Sequence, residues 1–336
     1  MTSPPMLEML WEADDPAEVI TNRFGLADAA AARRWVTEAL ARHWSVDVTS
    51  CERIVMSHTN ALAWVDTPSG RMIAKWSVAP ERFARLAALA RLTVELEARG
   101  VPVSAPVAAP DGRLQVEVDG VSLAVQHVVA GDLLDTGDLG LVRATGAVLA
   151  RLHDVLATST AAGELLALVD PPALLPDRVT GWLDAAPAHL ATPACDTLRR
   201  LLVDLPAGPL PTQLVHGDVR AANVLCTSDA VAAVLDLEEA RCDHAVVEMA
   251  RAAVLLGTRF HDWGPVTPDV HDSLRAGYES VRPLTPLEAR WWDVLVLWTS
   301  LAMIPPGEDP TGWGPAAADL AVRLDGPSPD PDAPTT

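Results

Sequence analysis

The 336-residue sequence predicts an α+β protein of two lobes, a β-rich N-terminal lobe and a mainly helical C-terminal lobe. Three observations carry that prediction. Short apolar runs bounded by turn residues fill the stretch from about residue 50 to 129. One long helical pattern interrupts them. After Ala130-Gly131-Asp132 the apolar spacing becomes helical for most of the remaining chain. A hydrophobic content of 49% is enough to give each lobe a core.

The elements follow in order. Residues 26–43 read as an amphipathic helix with Trp35, Val36, Leu40 and His43 in its pattern. Ala61–Asp66, the turn Thr67-Pro68-Ser69-Gly70 and Arg71–Trp76 read as a β-hairpin. A helix is expected over 80–99, with Leu86, Leu89, Leu92 and Leu96 on one side and Gly100 as its stop. Leu114–Val118 and Ser122–Val129 are two more strands around an Asp119-Gly120 turn. Helices are then expected at 139–157, 175–187, 194–203, 242–256, 268–280 and 285–303. One β element sits between them, made of Leu214–Val215, Val224–Leu225 and Val231–Leu235. The division is therefore 1–129 for the N-terminal lobe with its helical extension, and 130–325 for the C-terminal lobe. Residues 326–336 form a proline-rich tail expected to be disordered.

Composition excludes some functions. A formal net charge of −20 argues against nucleic acid as a partner, because a phosphate backbone needs a basic face. The same charge fits steering of a cationic substrate, or serves solubility alone. The four cysteines at 51, 195, 226 and 242 form no Cys-x-x-Cys pair, so a reducing cytoplasm is the expected location. Met1–Glu18 lacks a basic-then-apolar signal pattern, and no apolar stretch is long enough for a membrane span.

The chemistry concentrates in the run His-Gly-Asp-Val-Arg-Ala-Ala-Asn at 216–223. Asp218 and Asn223 lie five apart in a loop after a short strand, and Asp236 follows the strand Val231–Leu235. Two carboxylates and an amide oxygen suit magnesium, a hard cation that takes oxygen ligands together with substrate phosphates. Phosphoryl transfer needs a base near the attacking hydroxyl, metal on the phosphates and cations around the transferring group. The order base, amide, strand, carboxylate is the kinase order.

The chain resembles the aminoglycoside phosphotransferase and choline kinase-like superfamily, a branch of the protein kinase-like fold. His-Gly-Asp at 216–218 and Leu-Asp-Leu-Glu-Glu-Ala at 235–240 have that superfamily's form. Leu149-Ala-Arg-Leu-His153, Ser57-His-Thr-Asn60 and Ala74-Lys75 resemble its connector helix, nucleotide loop and phosphate-binding lysine. The resemblance implies an ATP- and Mg2+-dependent transfer to an alcohol group. It implies that Asp218 orients or deprotonates the acceptor, that Asn223 and Asp236 hold the metal, and that Lys75 pairs with the α- and β-phosphates. Ser57 and Asn60 would cover the phosphates, and backbone groups from His127 to Val129 would bind adenine. Arg220 is placed to bind the transferring phosphoryl oxygens in a bidentate way. His216 and His153 are expected to be structural, and Glu248 to brace the catalytic loop.

One slot departs from the pattern. The glutamate that relatives carry on the N-lobe helix falls at Leu89 here, and the nearest acids are Glu81 and Glu95. That leaves room for a partner protein that completes the site. Three functions stay open: a kinase for a cationic small molecule such as an aminoglycoside or amino-alcohol, a Ser/Thr kinase for a peptide in natural-product biosynthesis, and a non-catalytic nucleotide-binding relative. Tyr278, Trp291, Trp292 and Trp298 are candidates either for the acceptor pocket or for the core.

Overall fold

The structure is a computed structural model and describes residues 4–185, 189–206 and 208–325. Strand β1 (Met6–Met9) leads into helices α1 (Pro16–Asn22) and α2 (Ala29–Trp44). Asp15 and Asp28 start these helices by accepting hydrogen bonds from the N–H groups of Ala17 (2.8 Å) and Ala31 (2.6 Å). Next come β2 (Ser50–Met56), β3 (Asn60–Thr67), β4 (Gly70–Ser77), a 3-10 turn at Pro80–Arg82, and α3 (Phe83–Ala98). With β5 (Val116–Val118) and β6 (Val121–His127) the strands form one sheet in the order β1-β2-β3-β4-β6-β5. Only β1 and β2 pair in parallel within it.

Alternation along β4 assigns a task to each face of this sheet. Met72, Ala74 and Trp76 are buried, and Ile73 and Lys75 lie on the opposite face. Trp76 meets Phe24 and Trp35 with ring centroids 6.1 and 5.3 Å apart. The N-terminal helices therefore cover one face, and Lys75 is left on the face turned towards the C-terminal lobe.

That lobe contains β7 (Asp132–Leu133), α4 (Leu139–Leu156), α5 (Thr160–Leu166), α6 (Leu175–Asp184), α7 (Thr192–Val203) and β8 (Gln213–Val215). It continues with β9 (Val224–Cys226), β10 (Val231–Val234), β11 (Arg241–Asp243), α8 (Ala245–Leu255), α9 (Pro268–Glu279), α10 (Pro286–Ala302) and α11 (Trp313–Asp325). Strands β10, β9 and β7 form a small sheet, and β8 pairs with β11. Helices α4 and α9 pack backbone to backbone. A side chain at Gly146 would collide with the Leu274 carbonyl, and one at Gly277 with the Arg143 carbonyl.

Buried side chains form two clusters, one spanning Val19–Val125 and the other Ala88–Ala321. The buried leucines of α3 belong to the second. So α3 follows the N-lobe strands in sequence but packs with the helical lobe.

Several elements differ from the sequence expectation. The helix expected over 242–256 begins at Ala245, because Arg241–Asp243 pairs with β8. The strands β1 and β2 and the helices α1, α5 and α11 are not among the expected elements, although the capping Asp15-Pro16 and Ser159 are helix-start signals for α1 and α5. Tyr278, Trp291 and Trp292 are buried core residues, and Trp298 packs against the same cluster. The helix expected to reach 187 is described to Asp184, and the tail 326–336 lies outside the described residues. No described helix is long and apolar enough to cross a membrane.

Candidate active site

The loop at 216–223 is held between β8 and β9 by backbone geometry and by its own polar side chains. Gly217 sits at φ +90°, a conformation that L side chains rarely adopt. A Cβ there would strike the Glu239 carbonyl and the Arg241 guanidinium, which donates to the Gly217 carbonyl at 2.9 Å. His216 accepts the Asp218 N–H at Nδ1 (3.2 Å) and donates from Nε2 to the Leu235 carbonyl (2.8 Å), a tautomer assigned from its partners. The Leu235 N–H in turn donates to the Asn223 carbonyl at 2.8 Å. These bonds stitch the loop to the end of β10, where Asp236 adopts a left-handed φ of 61°. Asn223 donates from Nδ2 to the backbone carbonyl and to Oδ2 of Asp218, both at 2.8 Å. Its amide oxygen is thereby the atom left for a cation. The structure thus brings Asp218, Asn223 and Asp236 together.

Beneath the loop lies a buried polar column. Glu248 on α8 accepts the N–H of His216 (2.9 Å) and that of Gly217. Its Oε2 also meets His153 Nε2 at 2.8 Å, and His153 Nδ1 meets the Tyr278 hydroxyl at 2.7 Å. Arg282 donates to that hydroxyl at 3.1 Å. Burial opposes ionisation of Glu248. The hydrogen bond and charge of His153, with the backbone donors, outweigh it and bring the pKa down to about 2. Burial is also the main reason the Tyr278 pKa is raised.

Lys75 reaches across the cleft. Its Nζ lies 3.2 Å from Asp236 Oδ1 and 2.5 Å from Glu238 Oε1. Burial alone would lower the lysine pKa, but these two carboxylates reverse that and raise it. Lys75 is likewise the first cause of the lowered pKa of Asp236. The other oxygen of Glu238 accepts Asn60 Nδ2 (2.9 Å) and pairs with Arg82 Nη2 (3.1 Å). Arg85 donates to the backbone carbonyls of Glu238, at 3.1 Å, and Ala240. The acid beside Lys75 therefore comes from this chain. Glu95 is elsewhere, accepting Ser159 Oγ (2.7 Å) and the Ala161 N–H at the start of α5, and Glu81 is exposed.

Arg220 donates from Nε to Asp218 Oδ2 at 3.0 Å and lies 5.3 Å from the centroid of the Trp263 ring. Its Nη1 is shut from solvent and has no hydrogen-bond partner among the described residues. Ser57 closes the β2–β3 turn by donating its N–H to the Asn60 carbonyl at 2.8 Å. His127 ends β6, with its carbonyl accepting Ser104 Oγ (3.3 Å), and Val128 N–H bonds to Arg71 O (3.1 Å), one hydrogen bond to β4 beyond the end of the strand. Sequence reasoning missed the partners of Glu238, together with Arg241 and Trp263. The acidic pair at 238–239 inside the motif was the visible signal for the first; isolated residues gave none for the others.

A two-lobed fold whose cleft gathers a lysine, a loop aspartate, an amide and a strand-end aspartate defines a phosphotransferase of the kinase-like class. The chain matches the model of the phosphotransferase enzyme family over residues 50–287, and it belongs to that family. Homoserine kinase of Neisseria meningitidis serogroup B is 26% identical over 266 residues, which are 73% of this chain and 78% of that protein. A macrolide 2'-phosphotransferase from Brachybacterium faecium has a similar structure, with a TM-score of 0.58 at 17% identity over 88% of this chain and 99% of that one. A spectinomycin phosphotransferase, in complex with ADP and spectinomycin, gives 0.57 at 12% identity over 86% of each chain.

Proposed function

We propose that the protein transfers the γ-phosphoryl group of ATP to a hydroxyl of a small molecule that also carries an amine. The observation that carries this reading is the frame in which His216, Leu235 and Asn223 hold Asp218 and Asp236 around one cleft. In it Asp218 orients the acceptor hydroxyl and takes its proton as the oxygen attacks phosphorus. Lys75 binds the α- and β-phosphates. Arg220, anchored on Asp218 and stacked on Trp263, offers its unpaired Nη1 to the transferring phosphoryl group. Asn60 and Ser57 close over the phosphates, and the backbone from His127 to Val129 receives adenine.

The donor set fits Mg2+. Asp236 is ionised, and the amide nitrogen of Asn223 is committed to Asp218, which leaves oxygen donors for a hard cation. Bound there, the metal would neutralise charge on the phosphates. Asp236 and Asn223 would hold it.

The acceptor class rests on the flank of Trp263. Asp262 and Gly264, on either side of it, line a cavity of about 440 Å³ that also contains Asp269 and Thr136. Two carboxylates there favour an ammonium group, in keeping with the acidic chain. Mass spectrometry of a panel containing homoserine, amino-alcohols, aminoglycosides and macrolides, incubated with ATP and Mg2+, tests the reading. A mass gain of one phosphate that disappears with Asp218→Asn supports it. Nucleotide binding without Asp218-dependent transfer to any acceptor would turn the reading towards a non-catalytic nucleotide-binding protein.

A further inference from the structure

We propose that Glu238 takes over the task of the missing helix glutamate, as the positioning residue that holds Lys75 for the nucleotide, with Arg82 acting through it. The proposal rests on the reading of Lys75 as the phosphate-binding lysine.

The helix cannot supply the acid. Leu89 fills the expected slot and is 5% exposed within the helical-lobe core, where a carboxylate would be desolvated without a partner. Helix α3 and the turn before it present cations instead. Arg82 pairs with the Glu238 carboxylate, and Arg85 holds the carbonyls of residues 238 and 240. The charge order of the familiar lysine–glutamate pair is therefore transposed. The acid has moved to the segment after β10; Arg82 of the turn before α3 holds its carboxylate, and Arg85 of α3 holds its backbone.

The two oxygens of Glu238 divide the work. Oε2 is occupied by Arg82 and by Asn60 of the nucleotide-side turn, which fixes the carboxylate from the helix side and from β3. Oε1 faces Lys75 at 2.5 Å. Cations and anions balance in this cluster, with Lys75 and Arg82 against Asp236 and Glu238. When Asp236 turns to a metal, Glu238 remains as the carboxylate that keeps Lys75 in the cleft rather than along the sheet. A side chain only 10% exposed, fixed from two sides, is suited to that task in a way a mobile surface acid is not.

The test is calorimetric binding of ATP in EDTA, so that no metal contributes. Glu238→Gln is expected to weaken binding on the order of tenfold, as loss of a charge-assisted contact would. Arg82→Ala is expected to weaken it too, but to add nothing in the Glu238→Gln background. In a Lys75→Ala background Glu238→Gln is expected to have no further effect. Glu238→Asp, which keeps the charge, is expected to recover part of the loss. Unchanged or tighter binding by Glu238→Gln overturns the proposal, since it would mean that the carboxylate serves only a metal or competes for the lysine. Additivity with Lys75→Ala overturns it as well. A wild-type protein that binds no ATP in EDTA and none with Mg2+ overturns the nucleotide reading itself, and this proposal with it.

Discussion

The two halves of the cleft are held in opposite ways. Below the loop at 216–223, Glu248, His153 and Tyr278 are buried in the helical lobe, and their bonds reach backbone N–H groups that have no water to turn to. Across the cleft, Lys75, Glu238 and Arg82 are joined by long side chains, two of which are more than a quarter exposed. A buried column fixes one geometry because every alternative strands a polar group. An ion cluster at a lobe interface can exchange partners, because water and substrate phosphates compete for its cations. The loop at 216–223 is thus built to stay in place, and the Lys75 cluster is built to re-pair.

Glu248→Ala should have the largest effect. It leaves the N–H groups of His216 and Gly217 and the ring of His153 buried without their acceptor, at a cost of about 3–5 kcal/mol. Urea unfolding of this variant beside Glu238→Ala measures the contrast. The second variant should lose less, about 1–3 kcal/mol, since Glu238 is only 10% exposed but the Lys75 and Arg82 it would strand are 26% and 29% exposed and can turn to water. Equal losses would remove the distinction between the two regions.

The acid limb of stability sharpens the same contrast. The pKa of Glu248 is lowered in the folded state from an ordinary 4.5 to about 2. The folded form therefore gains stability from ionised Glu248 above pH 4.5 and loses it as pH falls through about 2. The gap between wild type and Glu248→Gln should be about 3 kcal/mol at neutral pH and should close between those limits. A gap that stays constant down to the lower limit would mean that the charge of Glu248 contributes nothing. Tyr278→Phe removes the hydroxyl that meets His153 and Arg282 while leaving the ring in the core. A loss of about 1–2 kcal/mol, with the catalytic activity reduced less than by Glu248→Ala, is expected from denaturation and transfer assays on one preparation.

Much of this was legible in the chain. The spacing from Asp218 to Asn223 and on to Asp236 is a local property, so it survived in sequence as a motif. The hairpin that carries Lys75 was legible because alternation and the Thr67–Gly70 turn fix its register. The expected brace at Glu248 matches the hydrogen bonds it makes. What was not legible came from contacts distant in sequence. Asn60 and Glu238 are 178 residues apart, and no periodicity records that meeting. The close approach of α4 and α9 rests on Gly146 and Gly277, single glycines whose meaning appears only when the helices are packed. Trp291 and Trp292 drew attention as aromatic residues, but burial made them core.

The smallest expected effect separates two kinds of bond within the Lys75 side of the cleft itself. Arg82 meets a carboxylate, while Arg85 meets the carbonyls of Glu238 and Ala240. A charge–charge pair is screened by salt, and the Debye length falls from about 10 Å at 0.1 M to about 3 Å at 1 M. A charge–carbonyl bond is short-ranged and depends on contact geometry more than on ionic strength. Each alanine variant should cost under about 1 kcal/mol in urea unfolding at low salt. Raising the salt should shrink the Arg82→Ala effect and leave the Arg85→Ala effect nearly unchanged. If both effects fade together, Arg85 acts mainly through the nearby carboxylates of Glu238 and Glu239, which favour its charged form, and the clamp on the 238–240 backbone is secondary.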